Sequence, residues 1–79
     1  MAKSFNGHRS WNAWNVSLWI NNDETLYRSA LDMKRTYGSA EKAAPWFLAL
    51  LHSAHGVTRT PDGAPYTVTT IKEAIRGME

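Results

Sequence analysis

The 79-residue sequence contains no cysteine, which excludes disulfide staples and thiolate metal sites and fits a reducing compartment. No apolar run approaches the roughly 18 residues that mark a membrane-spanning helix. Met1–Ser10 has no apolar stretch of the kind a secretory signal carries, so a cytoplasmic protein is expected. Charge of one sign is also scarce: nine Lys and Arg against seven Asp and Glu leave a formal charge of +2, an excess that solubility accounts for. The motifs of catalysis are missing. There is no Gly-rich phosphate loop, no G-x-S-x-G elbow and no H-E-x-x-H helix. Asp23 and Glu24 are adjacent, so on a helix they point apart rather than forming a facing carboxylate pair. A protein that is not an enzyme and carries no cofactor or metal is therefore expected. Repeats and low-complexity tracts are absent as well.

What the chain does have is aromatic bulk, with four tryptophans in 79 residues. A chain this short builds one domain with one core and a thin stability margin, leaving little interior for an enclosed pocket. The large indole rings are expected to supply the missing stability.

Apolar periodicity predicts an all-α domain of three to four short helices, with a turn-rich loop before the last. Trp11, Trp14, Leu18 and Trp19 suit one face of a first helix capped by Ser10, with Val16 and Ile20 widening the surface. Asn22 is a suitable N-cap for a second helix whose first turn holds Asp23 and Glu24, where the helix dipole favours them. Leu26, Ala30, Met33 and Tyr37 line one face of that helix, Lys34 and Arg35 sit in its last turn, and Gly38 stops it. A third apolar helix follows Ser39 and ends at Gly56, with Pro45 either marking its start near Ala44 or bending it. Residues 57–66 contain a Pro-Asp-Gly turn and read as an exposed loop, while residues 1–9 read as flexible. Residues 66–70 are β-branched enough for a strand. However, Val68, Ile71 and Ile75 share a helical face, Thr70 with Glu73 resembles a capping box, and a lone strand would have no partner. A short helix ending near Gly77 is preferred.

Three constellations deserve weighing for function. His52 and His55, spaced i, i+3, are able to meet one metal ion, but no third ligand is marked, and His8 lies far away in sequence. The preferred reading is a helix end where imidazoles meet free carbonyls. Arg28, Lys34, Arg35 and Arg76 suggest weak nucleic-acid binding. Asp32 interrupts the stripe between Arg28 and Arg35, however, so few phosphates would be neutralised and the salt dependence would be shallow. The densest feature is Ser10–Tyr27, in which Trp11, Trp14 and Trp19 are interleaved with Asn12 and Asn15. Trp14, Leu18 and Trp46 are expected in the core, with indole N–H groups satisfied by neighbouring amides. An exposed ring, Trp11 or Tyr66, is expected to anchor a partner together with Arg9, Arg28 and Arg35, since Trp, Tyr and Arg dominate interface hot spots.

Within that segment Trp14-Asn15-Val16, Leu18-Trp19-Ile20, Asn22-Asp23-Glu24 and Leu26-Tyr27 resemble a W-N-V-x-L-W-I-x-N-D-E-x-L-Y pattern. The pattern occurs in small uncharacterised proteins of bacteriophages and mobile elements, where a Tyr-Asn-Gly-like triplet often precedes it, as Phe5-Asn6-Gly7 does here. Ala13 and Thr25 stand where the pattern more often has Thr and Gly. The resemblance implies an accessory protein that blocks a host or defence-system protein in the host cytoplasm. Nucleic acid is the alternative partner, no membrane is involved, and a homodimer through the apolar helices is a third option because small cores borrow stability from oligomers.

Overall fold

A computed structural model of the chain describes residues 10–78, so the expectations placed on residues 1–9, including Phe5-Asn6-Gly7, His8 and Arg9, lie outside the described residues. Within them the fold is all-α, as the periodicity predicts, and forms no strand. Ser10 is extended and its hydroxyl accepts from the Ala13 N–H at 3.2 Å, opening α1 (Trp11–Asn22). The inward residues of α1 are Ala13, Asn15, Val16 and Ile20, and α1 packs on the last helix. This corrects the expected face: Trp14, Leu18 and Trp19 are only half-buried, and Trp11 is 41% exposed. Two apolar stripes compete on α1, and the one with smaller side chains faces inward because it allows the closer helix approach.

The cap of the second helix also moves by one residue. Asn22 ends α1, while Asp23 adopts the extended backbone of a cap, and its Oδ1 accepts from the Leu26 N–H at 3.1 Å. From there α2 (Glu24–Tyr37) runs to Gly38, whose φ of 89° is the left-handed cap conformation that glycine adopts without steric cost. Ser39 caps α3 (Ala40–Leu50), which passes through Pro45 instead of starting there. Pro45 is exposed, so its ring disturbs no packed contact. The helix then widens into a π turn over Leu51–His55 and closes at Gly56.

The buried stripe of α3 is Ala40, Ala43, Ala44 and Phe47, and Leu51 extends it into the π turn. Three of its members are alanines, which let α2 and the last helix both pack closely against it. Trp46 is rotated about 100° from Phe47, and this places it outside: it is 56% exposed, whereas Phe47 is fully buried. The expectation of Trp46 in the core is thereby overturned.

The loop over residues 57–66 folds back on itself. Thr60 N–H donates to the Ala64 carbonyl, Gly63 N–H to the Thr60 carbonyl, and Tyr66 N–H to the Thr58 carbonyl, with one antiparallel bridge between Arg59 and Pro65. This return swings Tyr66 inward until it is 6% exposed, so it is not the exposed anchor expected of it. Thr60 and Ala64 are buried with it. The final helix, α4 (Val68–Arg76), begins at a capping box between Thr67 and Thr70, three residues before the Thr70–Glu73 pair that the sequence suggests. Ile71, Ala74 and Ile75 face inward, and Lys34 Nζ donates to the Met78 carbonyl, tying the residues just after α4 to α2.

The largest fully buried apolar side chains are Phe47, Ile20, Leu51, Ile71, Ile75 and Val16. No tryptophan is among them. Aliphatic packing around one phenylalanine, rather than indole bulk, holds the helices together.

Candidate functional site

The loop that turns Tyr66 inward is held against α1 by a polar latch. Asn15 is 1% exposed, yet every buried side-chain polar atom among the described residues has a partner. Its Nδ2 donates to Asp62 Oδ2 at 2.9 Å and its Oδ1 accepts from the Thr60 hydroxyl at 2.6 Å. Trp19 Nε1 donates to the same Asp62 oxygen at 2.8 Å. The Thr60 oxygen in turn accepts from the Ala64 N–H at 3.0 Å. A carboxylate, rather than the neighbouring amide anticipated from sequence, therefore satisfies this indole.

These bonds hold the Asp62 carboxyl below its ordinary value of 3.8, with Asn15 the larger cause and Trp19 the second. A carboxylate whose folded pKa is depressed stabilises the fold fully above its unfolded pKa and loses that contribution as pH falls through the folded value. Glu41, lowered by its hydrogen bond from Arg76, acts in the same direction. Urea midpoints should therefore fall between pH 5 and pH 2, and Asp62→Asn should shrink the drop without abolishing it. An unchanged pH dependence in that variant would show that the latch does not depend on the charge.

The latched loop and the start of α2 enclose an open cleft of about 350 Å³ lined by Trp19, Asp23, Leu26, Val57, Arg59, Pro61 and Tyr66. A second lobe of about 300 Å³ shares Asp23, Leu26 and Val57 and extends toward Leu51 and His55. Burial pushes the Tyr66 phenol up, and the nearby Asp23 charge adds to this. Arg59 is held over the loop by its bond to the Gly63 carbonyl at 2.8 Å.

The other conspicuous surface is aromatic. Trp46 stacks on Tyr37 with ring centroids 5.6 Å apart and planes 8° from parallel, forming a flat platform between α3 and α2. The sequence-predicted residues do not converge on either place. Trp11 lies exposed at the start of α1. Arg28 pairs with Glu24 at 2.6 Å, and Arg76 pairs with Glu41 at 2.6 Å. Lys34 is bound to the Met78 carbonyl, while Arg35 is exposed on α2 and enters none of these pairs. His52 and His55 are both exposed, and the described residues contain no group of three His, Asp or Glu side chains able to hold a metal. No described helix is long and apolar enough to cross a membrane.

Asp62, Thr60 and the Tyr37–Trp46 stack escaped the sequence reading. The available signal was Asn15, an amide set among the bulky apolar residues Trp14, Val16, Leu18, Trp19 and Ile20.

Residues 1–79 match a family of unknown function (DUF7249), and the chain belongs to that family. No curated protein and no solved structure matches it.

Proposed function

We propose that the chain is a non-enzymatic accessory protein of bacteriophage or mobile-element origin, acting in the host cytoplasm by covering a site on a host or defence-system protein. The observation that carries the reading is Trp46, a large ring 56% exposed and braced by Tyr37 in a chain with little apolar surface to spare. A rigid aromatic at the surface costs little conformational entropy when a partner covers it, which is why Trp dominates hot spots. Trp11, Arg28 and Arg35 remain as the accompanying exposed groups, and the resemblance over residues 14–27 supplies the setting. The alternative is weak nucleic-acid binding through Arg28, Lys34, Arg35 and Arg76. Three of these four are engaged with groups of the protein itself, so a protein partner is favoured.

Capture from bacterial lysate with immobilised wild-type protein and Trp46→Ala separates the readings. A nuclease-resistant protein partner whose apparent Kd weakens about thirtyfold in the variant, as loss of about 2 kcal/mol implies, is the expected result. Equal capture by both proteins would overturn the role of Trp46. A salt-sensitive gel shift with no protein partner would establish the alternative.

A further inference from the structure

Among the described residues, Asp62 is the one carboxylate followed in sequence by glycine, and the turn Pro61-Asp62-Gly63 that holds the pair is exposed. A glycine nitrogen has no neighbouring Cβ to shield it, so in an Asp-Gly pair it can attack the aspartate side chain. The Gly63 nitrogen would bond to Asp62 Cγ while one carboxyl oxygen leaves as water, taking the amide proton and one proton from solvent, and a five-membered succinimide results. Water then cleaves one of the two C–N bonds of that ring. Cleavage at Cγ restores aspartate, and cleavage at the main-chain carbonyl leaves isoaspartate, with no net change in composition. Sterics do not forbid ring closure, since nothing lies within 4 Å of the place a Gly63 Cβ would take. Hydrogen bonding does oppose it. Asp62 Oδ2 accepts from Asn15 Nδ2 at 2.9 Å and from Trp19 Nε1 at 2.8 Å, which turns the carboxyl toward α1. The same bonds favour the ionised form, and the ionised form has no hydroxyl to lose as water. The Gly63 N–H is meanwhile occupied by the Thr60 carbonyl at 2.9 Å.

We propose that Asp62 is a latent isoaspartate site, held back by its bonds to Asn15 and Trp19 and converted when the loop opens, after which the loop no longer latches. Isoaspartate carries the main chain through Cγ, lengthening it by one carbon, and its free carboxylate stands directly on Cα. From there it does not reach both donors, and the buried Asn15 amide loses a partner. The loop that turns Tyr66 inward and walls the cleft with Arg59 and Pro61 then comes away from α1. A transient opening is thereby made lasting, and the latched loop belongs to unconverted protein alone. The site stands apart from the Trp46 platform and requires nothing of it.

The test incubates full-length protein at 37 °C and neutral pH, either folded or unfolded in guanidinium chloride, and follows the tryptic peptide of residues 60–72 by chromatography and mass spectrometry. That peptide, TPDGAPYTVTTIK, holds no other Asp, Asn or Glu, so any isoaspartate in it stands at position 62. Folded wild type should convert at least about tenfold more slowly than the unfolded chain, because only the locally open fraction reacts. Trp19→Phe keeps a ring but removes one donor, and should convert at least about threefold faster than folded wild type. Ile75→Val, which trims the core and takes no part in the latch, should stay near the wild-type rate. In purified isoaspartate protein the Trp19 indole proton should exchange faster with solvent. Equal rates in folded and unfolded wild type, no acceleration by Trp19→Phe, equal acceleration by Ile75→Val, or unchanged Trp19 exchange after conversion would each overturn the inference. These results are independent of whether Trp46→Ala affects capture from lysate, so the two proposals fail separately.

Discussion

Phe47→Ala is expected to cost about 3–5 kcal/mol, which is the usual price of truncating a fully buried phenylalanine. A domain of this length has only about 4–12 kcal/mol to lose, at roughly 0.05–0.15 kcal/mol per residue. Its melting temperature, followed by far-ultraviolet circular dichroism, should fall by roughly 15–30 °C, and the variant is expected to be partly unfolded at 37 °C. The size of the effect comes from position. Phe47 sits on the stripe of α3 that faces both α2 and α4, and its ring occupies space that the neighbouring alanines, Ala43 and Ala44, cannot fill. Its sequence neighbour behaves differently. Trp46→Ala removes an exposed ring and one stacking contact, worth about 1 kcal/mol, and should melt only a few degrees below wild type. A loss as large as that of Phe47→Ala would mean that Trp46 belongs to the core after all.

The second large effect is expected at Asn15. Asn15→Leu leaves the buried Thr60 hydroxyl without the acceptor it reaches at 2.6 Å and takes one of two donors from Asp62. An orphaned buried polar group costs about 1–3 kcal/mol, and the imperfect fit of a branched side chain adds to it, for a total of about 2–4 kcal/mol in urea unfolding. Thr60→Val should be less costly in the Asn15→Leu background than in wild type, because there the hydroxyl proton has already lost its acceptor, while the bond that the Thr60 oxygen accepts from the Ala64 N–H is lost in either background. A coupling of roughly 0.5–3 kcal/mol is expected for groups in direct contact. Strict additivity would show that the two side chains do not share the bond. In both single variants the loop should loosen from α1, and the Trp19 indole proton should exchange faster with solvent.

The local features of the fold were legible because local rules dictate them. Ser10, Ser39 and Gly38 are caps whose chemistry is complete within a few residues, and the sequence places them where they occur. Asn22 and Thr70 were each close to a true cap, but Asp23 and Thr67 have the extended backbone that a cap requires, and backbone conformation is not written in composition. Which apolar stripe faces inward was harder to read. On α1 and α3 the apolar residues exceed one face, and hydrophobicity alone ranks Trp14 and Trp46 above Ala13 and Ala43. Close packing reverses the order, because small side chains bring helix axes together and large rings hold them apart. The candidate site was the least legible part. Its latch joins Asn15 to Asp62 across 47 positions and Thr60 to Asn15 across 45, and its cleft exists only once the loop has folded back. Nothing in a turn signature such as Pro61-Asp62-Gly63 announces a long-range carboxylate.

Acrylamide quenching of tryptophan fluorescence in folded wild-type protein and in folded Trp46→Phe tests most directly whether the rings serve the surface instead of the core. The structure predicts that wild type contains a readily quenched component to which Trp46 and the exposed Trp11 both contribute, and that Trp46→Phe reduces this component to the share of Trp11 while melting within a few degrees of wild type. If the substitution instead removes a shielded component, or lowers the melting temperature as far as Phe47→Ala does, Trp46 lies inside the protein and the binding role built on its exposure is wrong.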